Sequence, residues 1–102
     1  MNLEQFINAS HEKWGSPVEI ERRNRILVAL AAYAYEIMND PIMSDDAFDK
    51  LALTINLKIK TGNAKMDKFF KKEFETDTGQ WIHKHPELSK LKFIFSKLKT
   101  TV

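Results

Sequence analysis

Two carboxylates four residues apart, Asp45 and Asp49, follow an aromatic–acidic pair, Tyr35-Glu36, and Phe48 stands between them. Positions four apart on a helix share a face, so Asp45 and Asp49 are expected to point the same way. Carboxylates beside aromatic rings suit a flat, positively charged group, because the face of such a ring attracts cations. The same residues have plainer uses. Asp45 suits the first turn of a helix, where the dipole favours negative charge. Tyr35 and Phe48 equally suit a seam between two helices.

The other chemistry-bearing residues form no recognised constellation. His11, His83 and His85 include no pair at i, i+4, and the chain has no cysteine, which is a poor match to zinc-ligand spacing. No metal site is assigned, and His85 before Pro86 reads as a helix-entry residue. There is no Ser–His–Asp order and no nucleophile elbow. Thr61-Gly62-Asn63 is a lone glycine turn rather than a phosphate cradle. No catalytic residue is assigned, and the chain reads as non-enzymatic.

The elements that must position Tyr35, Glu36, Asp45, Phe48 and Asp49 are two helices joined by a proline loop. Ser16-Pro17-Val18-Glu19 is a helix start, with Ser16 capping, Glu19 reaching back to the Ser16 N–H, and Pro17 where its missing donor costs nothing. A helix is expected over Pro17–Asn39, with Ile20, Ile26/Leu27, Leu30, Ala34 and Ile37/Met38 inward and Arg22, Arg23 and Arg25 outward. Asn39-Asp40-Pro41 should stop it, since the residue before proline is pushed out of the α region. Ser44 then caps a helix over Asp45–Ile55, with Phe48, Leu51, Ala52 and Ile55 inward. The pair forms an antiparallel hairpin with a loop of about five residues.

On either side of the hairpin the pattern is again helical. Asn2 caps an expected helix from Leu3 to Trp14, with Leu3, Phe6, Ile7 and Trp14 near one face and Gly15 as its stop. Leu57–Lys60 reads as an extended connector. Asn63 caps a short helix through Phe74, Trp81 and Ile82 plug the core from the next loop, and Pro86 opens a last helix to about Lys99. The expectation is a single all-α domain, residues 1–102, of about five helices around the hairpin.

The string Tyr33-Ala-Tyr35-Glu36-Ile-Met-Asn39-Asp40-Pro41-Ile-Met-Ser44-Asp45-Asp46-Ala-Phe48-Asp49-Lys-Leu51 resembles the N-terminal helical hairpin of NAD-dependent DNA ligases. That hairpin holds the nicotinamide mononucleotide (NMN) half of NAD, so the resemblance implies an NMN or NAD site. It places Tyr35 where the family packs an aromatic ring on the nicotinamide, and Asp45 and Asp49 on acidic positions of the pocket. Phe48 replaces the family's tyrosine and Glu36 its frequent histidine. The ligase adenylation motif, Lys-x-Asp-Gly, is missing. Lys65-Met66-Asp67-Lys68 lacks the glycine and falls on a short helix. The chain looks more like the small stand-alone ligase-related proteins of phage and prophage genomes.

Charge is split along the chain. Residues 1–49 hold 4 Lys/Arg against 9 Asp/Glu, and residues 50–102 hold 12 against 5, although the total is only +2. Either the halves neutralise each other on packing or a basic face results. Residues 63–100 form the basic part. Lys90, Lys92 and Lys97 with Phe93, which lies off the apolar stripe, are the candidate surface for nucleic acid or a protein partner. No stretch approaches the roughly 20 apolar residues of a membrane span, and Met1 to Ser10 does not read as a signal peptide. A cytoplasmic location is expected, the host cytoplasm if the protein is phage-encoded.

The leading expectation is therefore a non-enzymatic accessory or interaction protein of phage type. It would use the ligase-like hairpin as a binding surface, with inhibition of a host enzyme or defence complex as one use. The alternatives are an NMN/NAD-binding module acting in trans with a nucleotidyltransferase, and a weak DNA-binding module.

Overall fold

The computed structural model describes residues 15–100. Four α-helices run in order: α1 Pro17–Glu36, α2 Asp45–Thr54, α3 Ala64–Glu73 and α4 Leu88–Thr100, with a 3-10 turn at Gln80–Lys84 before α4. No strand occurs among the described residues, so the fold is all-α. The helix expected over Leu3–Trp14 lies outside the described residues.

The caps follow the side-chain chemistry. Ser16, Ser44 and Asn63 each accept from the backbone N–H three residues on, at Glu19, Ala47 and Met66. Each satisfies one donor that the first turn leaves orphaned. At the first of these caps the Glu19 carboxylate pairs with the Ser16 hydroxyl, 3.4 Å away, in place of the expected Ser16 N–H.

Helix α1 is the axis of the molecule, packed by α2, α4 and the 3-10 turn. Eight consecutive residues, Leu27 to Ala34, are buried. Four of them are alanines, whose small side chains let neighbours approach from several sides. That arrangement overturns the one-sided stripe expected for this helix. Ile26 is 52% exposed and Arg25 is 4% exposed, the reverse of the expectation. Periodicity assumes one wet face, and a helix surrounded on most sides does not have one.

The helix also stops earlier than expected, at Glu36, so the loop before α2 runs over residues 37–44 and Ile37 and Met38 are exposed. The Tyr33 carbonyl accepts from both Ile37 and Met38, and the Ala34 carbonyl accepts from Asp40. These bonds satisfy carbonyls that the helix end would otherwise leave unpaired. Asn39 takes φ +51°, the left-handed conformation that asparagine tolerates better than most residues.

A second packing centre is aromatic. Phe69, Phe70, Phe74 and Trp81 meet with ring centroids 5.1–6.1 Å apart, and the Trp81 indole N–H donates to the Thr78 carbonyl at 2.7 Å. Trp81 and Ile82 do fill the core, but from the 3-10 turn rather than from an irregular loop. On α4, Leu91 and Phe95 face inward, and Phe95 meets Tyr33 edge-on at 6.0 Å.

Candidate functional site

Tyr35, Glu36, Asp45, Phe48 and Asp49 all line one cavity of about 340 Å³ between the end of α1, the hairpin loop and α2. Its floor includes Ala31 and Ala32, small enough to leave space. Pro41, Ile42 and Met43 form the loop side. The remaining wall is Asp77-Thr78-Gly79, which arrives from beyond α3. Gly79 sits tight against α1. A methyl group there would lie 3.4 Å from the Ala32 Cβ and 3.4 Å from the Glu36 Cγ. Close behind it, the Gln80 side-chain amide donates to the Glu36 carboxylate at 2.8 Å. Glu36 is therefore tied to the wall opposite the hairpin.

The electrostatics of this cavity are one-sided. Glu36, Asp45, Asp49 and Asp77 supply four carboxylates, and among the described residues no lysine or arginine lines it. Tyr35 is 56% exposed, so its ring faces the cavity and solvent rather than a helix seam, whereas Phe48 is half-buried against the core. The arrangement can hold a positively charged group between carboxylates and beside aromatic rings. Its carboxylates would repel a phosphate.

The second candidate surface, on α4, is less basic than its sequence. The Lys90 ammonium pairs with Glu87 at 2.7 Å, and that hydrogen bond holds the Glu87 carboxyl below its usual range. Lys99 pairs with Asp40 at 2.7 Å. Phe93 is 63% exposed, as its off-stripe position predicts, and the Lys97 ammonium lies 5.4 Å from its ring centre. Lys92 is exposed on the same helix.

A buried charge network escaped the sequence reading. The Arg25 guanidinium donates to Glu21 at 2.7 Å, to Asp67 at 2.8 Å, and to the Asn56 and Ile59 carbonyls at 2.9 and 3.0 Å. It lies 5.4 Å from the Phe70 ring centre. Glu21 also accepts from the Asn56 N–H. Asp67 accepts from the Thr61 N–H at 3.0 Å and the Thr61 hydroxyl at 2.6 Å. Burial pushes the Asp67 carboxyl up, but the two Thr61 hydrogen bonds and the Arg25 charge outweigh it and hold it below the usual range. These bonds explain why Leu57–Lys60 is a turn and not the expected extended connector. The turn brings the Asn56 and Ile59 carbonyls onto Arg25. The one available signal was the i, i+4 spacing of Glu21 and Arg25.

His85 is buried against Phe69, ring centres 5.1 Å apart, and its Nδ1 accepts from the Glu87 N–H at 3.0 Å. It thus sits at the entry to α4, as its place before Pro86 predicts. Burial lowers its pKa to about 4; Glu87 opposes that shift and Lys65 adds to it. Among the described residues no three His, Cys, Asp or Glu side chains form a group that could hold a metal. His11 lies outside the described residues. No helix among them is long and apolar enough to cross a membrane.

No family model, no curated protein and no solved structure matches this chain.

Proposed function

We propose that this chain is a non-enzymatic binding protein, and that its hairpin cavity receives an arginine or lysine side chain presented by a protein partner. The observation that carries the reading is the lining of that cavity: four carboxylates and two aromatic rings, with no basic residue among the described residues. A guanidinium fits such a lining twice over, by paired hydrogen bonds to carboxylates and by stacking on an aromatic face. The ligase-like hairpin is then a scaffold whose ligand has been exchanged.

A nicotinamide nucleotide is the second reading, favoured by one feature. The exposed Tyr35 ring beside Asp45 and Asp49 suits the cationic nicotinamide. The four carboxylates would repel the nucleotide's phosphate, which is why the protein partner ranks first.

The two readings separate by NMR titration of the intact chain with a short arginine-rich peptide and, separately, with NMN. The expected result is that the peptide moves the Tyr35 and Asp49 resonances and NMN does not. Movement with NMN alone transfers the site to the nucleotide. No movement with either ligand removes both readings.

A further inference from the structure

A groove of about 450 Å³ runs between α1, α3 and α4, and no described residue lines both it and the hairpin cavity. Small-molecule sites occupy about 300–1,000 Å³. The walls are apolar, with Ile26 and Ala29 on α1, Met66 and Phe70 on α3, and Leu91 and Ile94 on α4. Ile26 is 52% exposed, although it directly precedes eight consecutive buried residues. The groove therefore leaves apolar surface open to a ligand.

Among the described residues, four charged side chains line the groove: Arg22, Arg25, Lys90 and Glu87. Lys90 is paired with Glu87 at 2.7 Å. Arg25 is engaged by Glu21 and Asp67, neither of which lines the groove. His85 lines it as a neutral ring at neutral pH, since burial lowers its pKa to about 4. Arg22 is different. Among the described residues no carboxylate pairs with it, and its Nε donates to the Thr61 carbonyl. Gly62 makes that position possible. It has φ +86°, and a Cβ there would lie 2.8 Å from the Arg22 Nη2. The guanidinium is thus held over bare backbone at the mouth of the groove.

We propose that this groove binds an amphipathic monocarboxylate, with its apolar chain between the three helices and its carboxylate on Arg22. The bond to Thr61 uses the Nε–H of Arg22 and leaves the N–H groups of both Nη atoms for a ligand. A guanidinium fork takes a carboxylate through two parallel hydrogen bonds. The ligand is a monoanion because Glu87, on the same groove, opposes a second negative charge. The hairpin cavity, with its four carboxylates, would repel the same ligand. The two sites therefore select opposite charges, and this one stands apart from the reading proposed for the hairpin.

The test is titration of the full chain with octanoate and, separately, with 1-octanol, followed by NMR of the isoleucine and methionine methyl groups. Octanoate should shift the methyls of Ile26, Met66 and Ile94 and leave those of Ile42 and Met43, which line the hairpin cavity, in place. Octanol, which lacks the charge, should bind about ten-fold more weakly or worse. Arg22→Gln should bring octanoate down to the affinity of octanol and leave octanol unchanged. Groove methyls that stay in place at millimolar octanoate overturn the proposal. So do equal shifts at Ile42 and Met43, which would mark a detergent-like effect on the whole molecule. Octanol binding as tightly as octanoate also overturns it, since the groove would then be an apolar surface without an anion site. A preference for octanoate that survives Arg22→Gln removes the carboxylate from Arg22 and overturns the assignment. The comparison of the two ligands uses the unaltered chain, so it decides the matter even where the variant fails to fold.

Discussion

The Arg25 guanidinium and the Asp67 carboxylate lie 2.8 Å apart, joining the middle of α1 to the first turn of α3 across 42 residues of chain. Glu21 grips the same guanidinium from one helical turn below. Two carboxylates and one guanidinium thus hold the loop between α2 and α3 against the central helix. The network is closed by the Asn56 and Ile59 carbonyls, so the guanidinium makes four hydrogen bonds and lies near the Phe70 ring.

Removing one partner of such a network leaves the others buried and uncompensated. Arg25→Ala should destabilise the fold by about 3–5 kcal/mol, read as a lower urea midpoint. Arg25→Lys should recover only part of that loss, because an ammonium cannot span Glu21, Asp67 and two carbonyls at once. A loss below about 1 kcal/mol for Arg25→Ala would mean that the network contributes little.

The two perturbed groups next to this region set the acid response. An unfolded histidine takes up its proton near pH 6.5, whereas His85 in the fold holds out to about 4. Between those values the unfolded chain binds more protons, so stability falls as pH falls through that window and gains nothing above it. Full protonation costs about 3 kcal/mol at 1.36 kcal/mol per unit. Asp67 is depressed below its ordinary 3.8, so its contribution is present above that value and is lost as pH falls through its folded pKa. His85→Gln should flatten the stability profile between pH 6.5 and 4 and keep the decline below pH 4. A profile unchanged by the substitution would disprove the assignment.

These residues also mark where sequence reasoning stopped. The hairpin and its caps were legible, because Ser16, Ser44 and Asn63 act through neighbours three residues away and Pro17 through its own missing donor. The convergence of Tyr35, Asp45 and Asp49 followed from helical spacing across a short loop. The Asp77-Thr78-Gly79 wall of the same cavity was not legible. It arrives after a further helix, and nothing local in Thr76-Asp77-Thr78-Gly79 says against what it packs. Arg25 was misplaced for a related reason. Charged residues default to the surface, and apart from Glu21 the partners that make its burial tolerable lie 31 to 42 residues away in sequence.

Stability and binding should separate at the hairpin cavity. Asp45 and Asp49 are exposed, so Asp45→Asn with Asp49→Asn should lower stability by no more than about 1 kcal/mol, mostly the lost first-turn charge at Asp45. The same pair should weaken an arginine-rich peptide ten-fold or more, measured by the NMR titration above. Peptide affinity that survives the double substitution would place the site elsewhere.

The basic helix α4 predicts weak, salt-sensitive contact with DNA and no more. Lys90 and Lys99 already face Glu87 and Asp40. Engaging phosphates would require breaking those pairs, and exposed pairs of this kind contribute only about 0–1 kcal/mol. With Lys92 and Lys97 added, at most about four phosphates are within reach. The plot of log affinity against log salt should then have a slope no steeper than about −3 to −4. Fluorescence anisotropy with a labelled duplex across salt concentrations measures it. Lys90→Glu with Lys97→Glu should abolish the interaction at low salt. A steeper slope, or binding that persists in the double variant, would show that α4 is not the contacting surface.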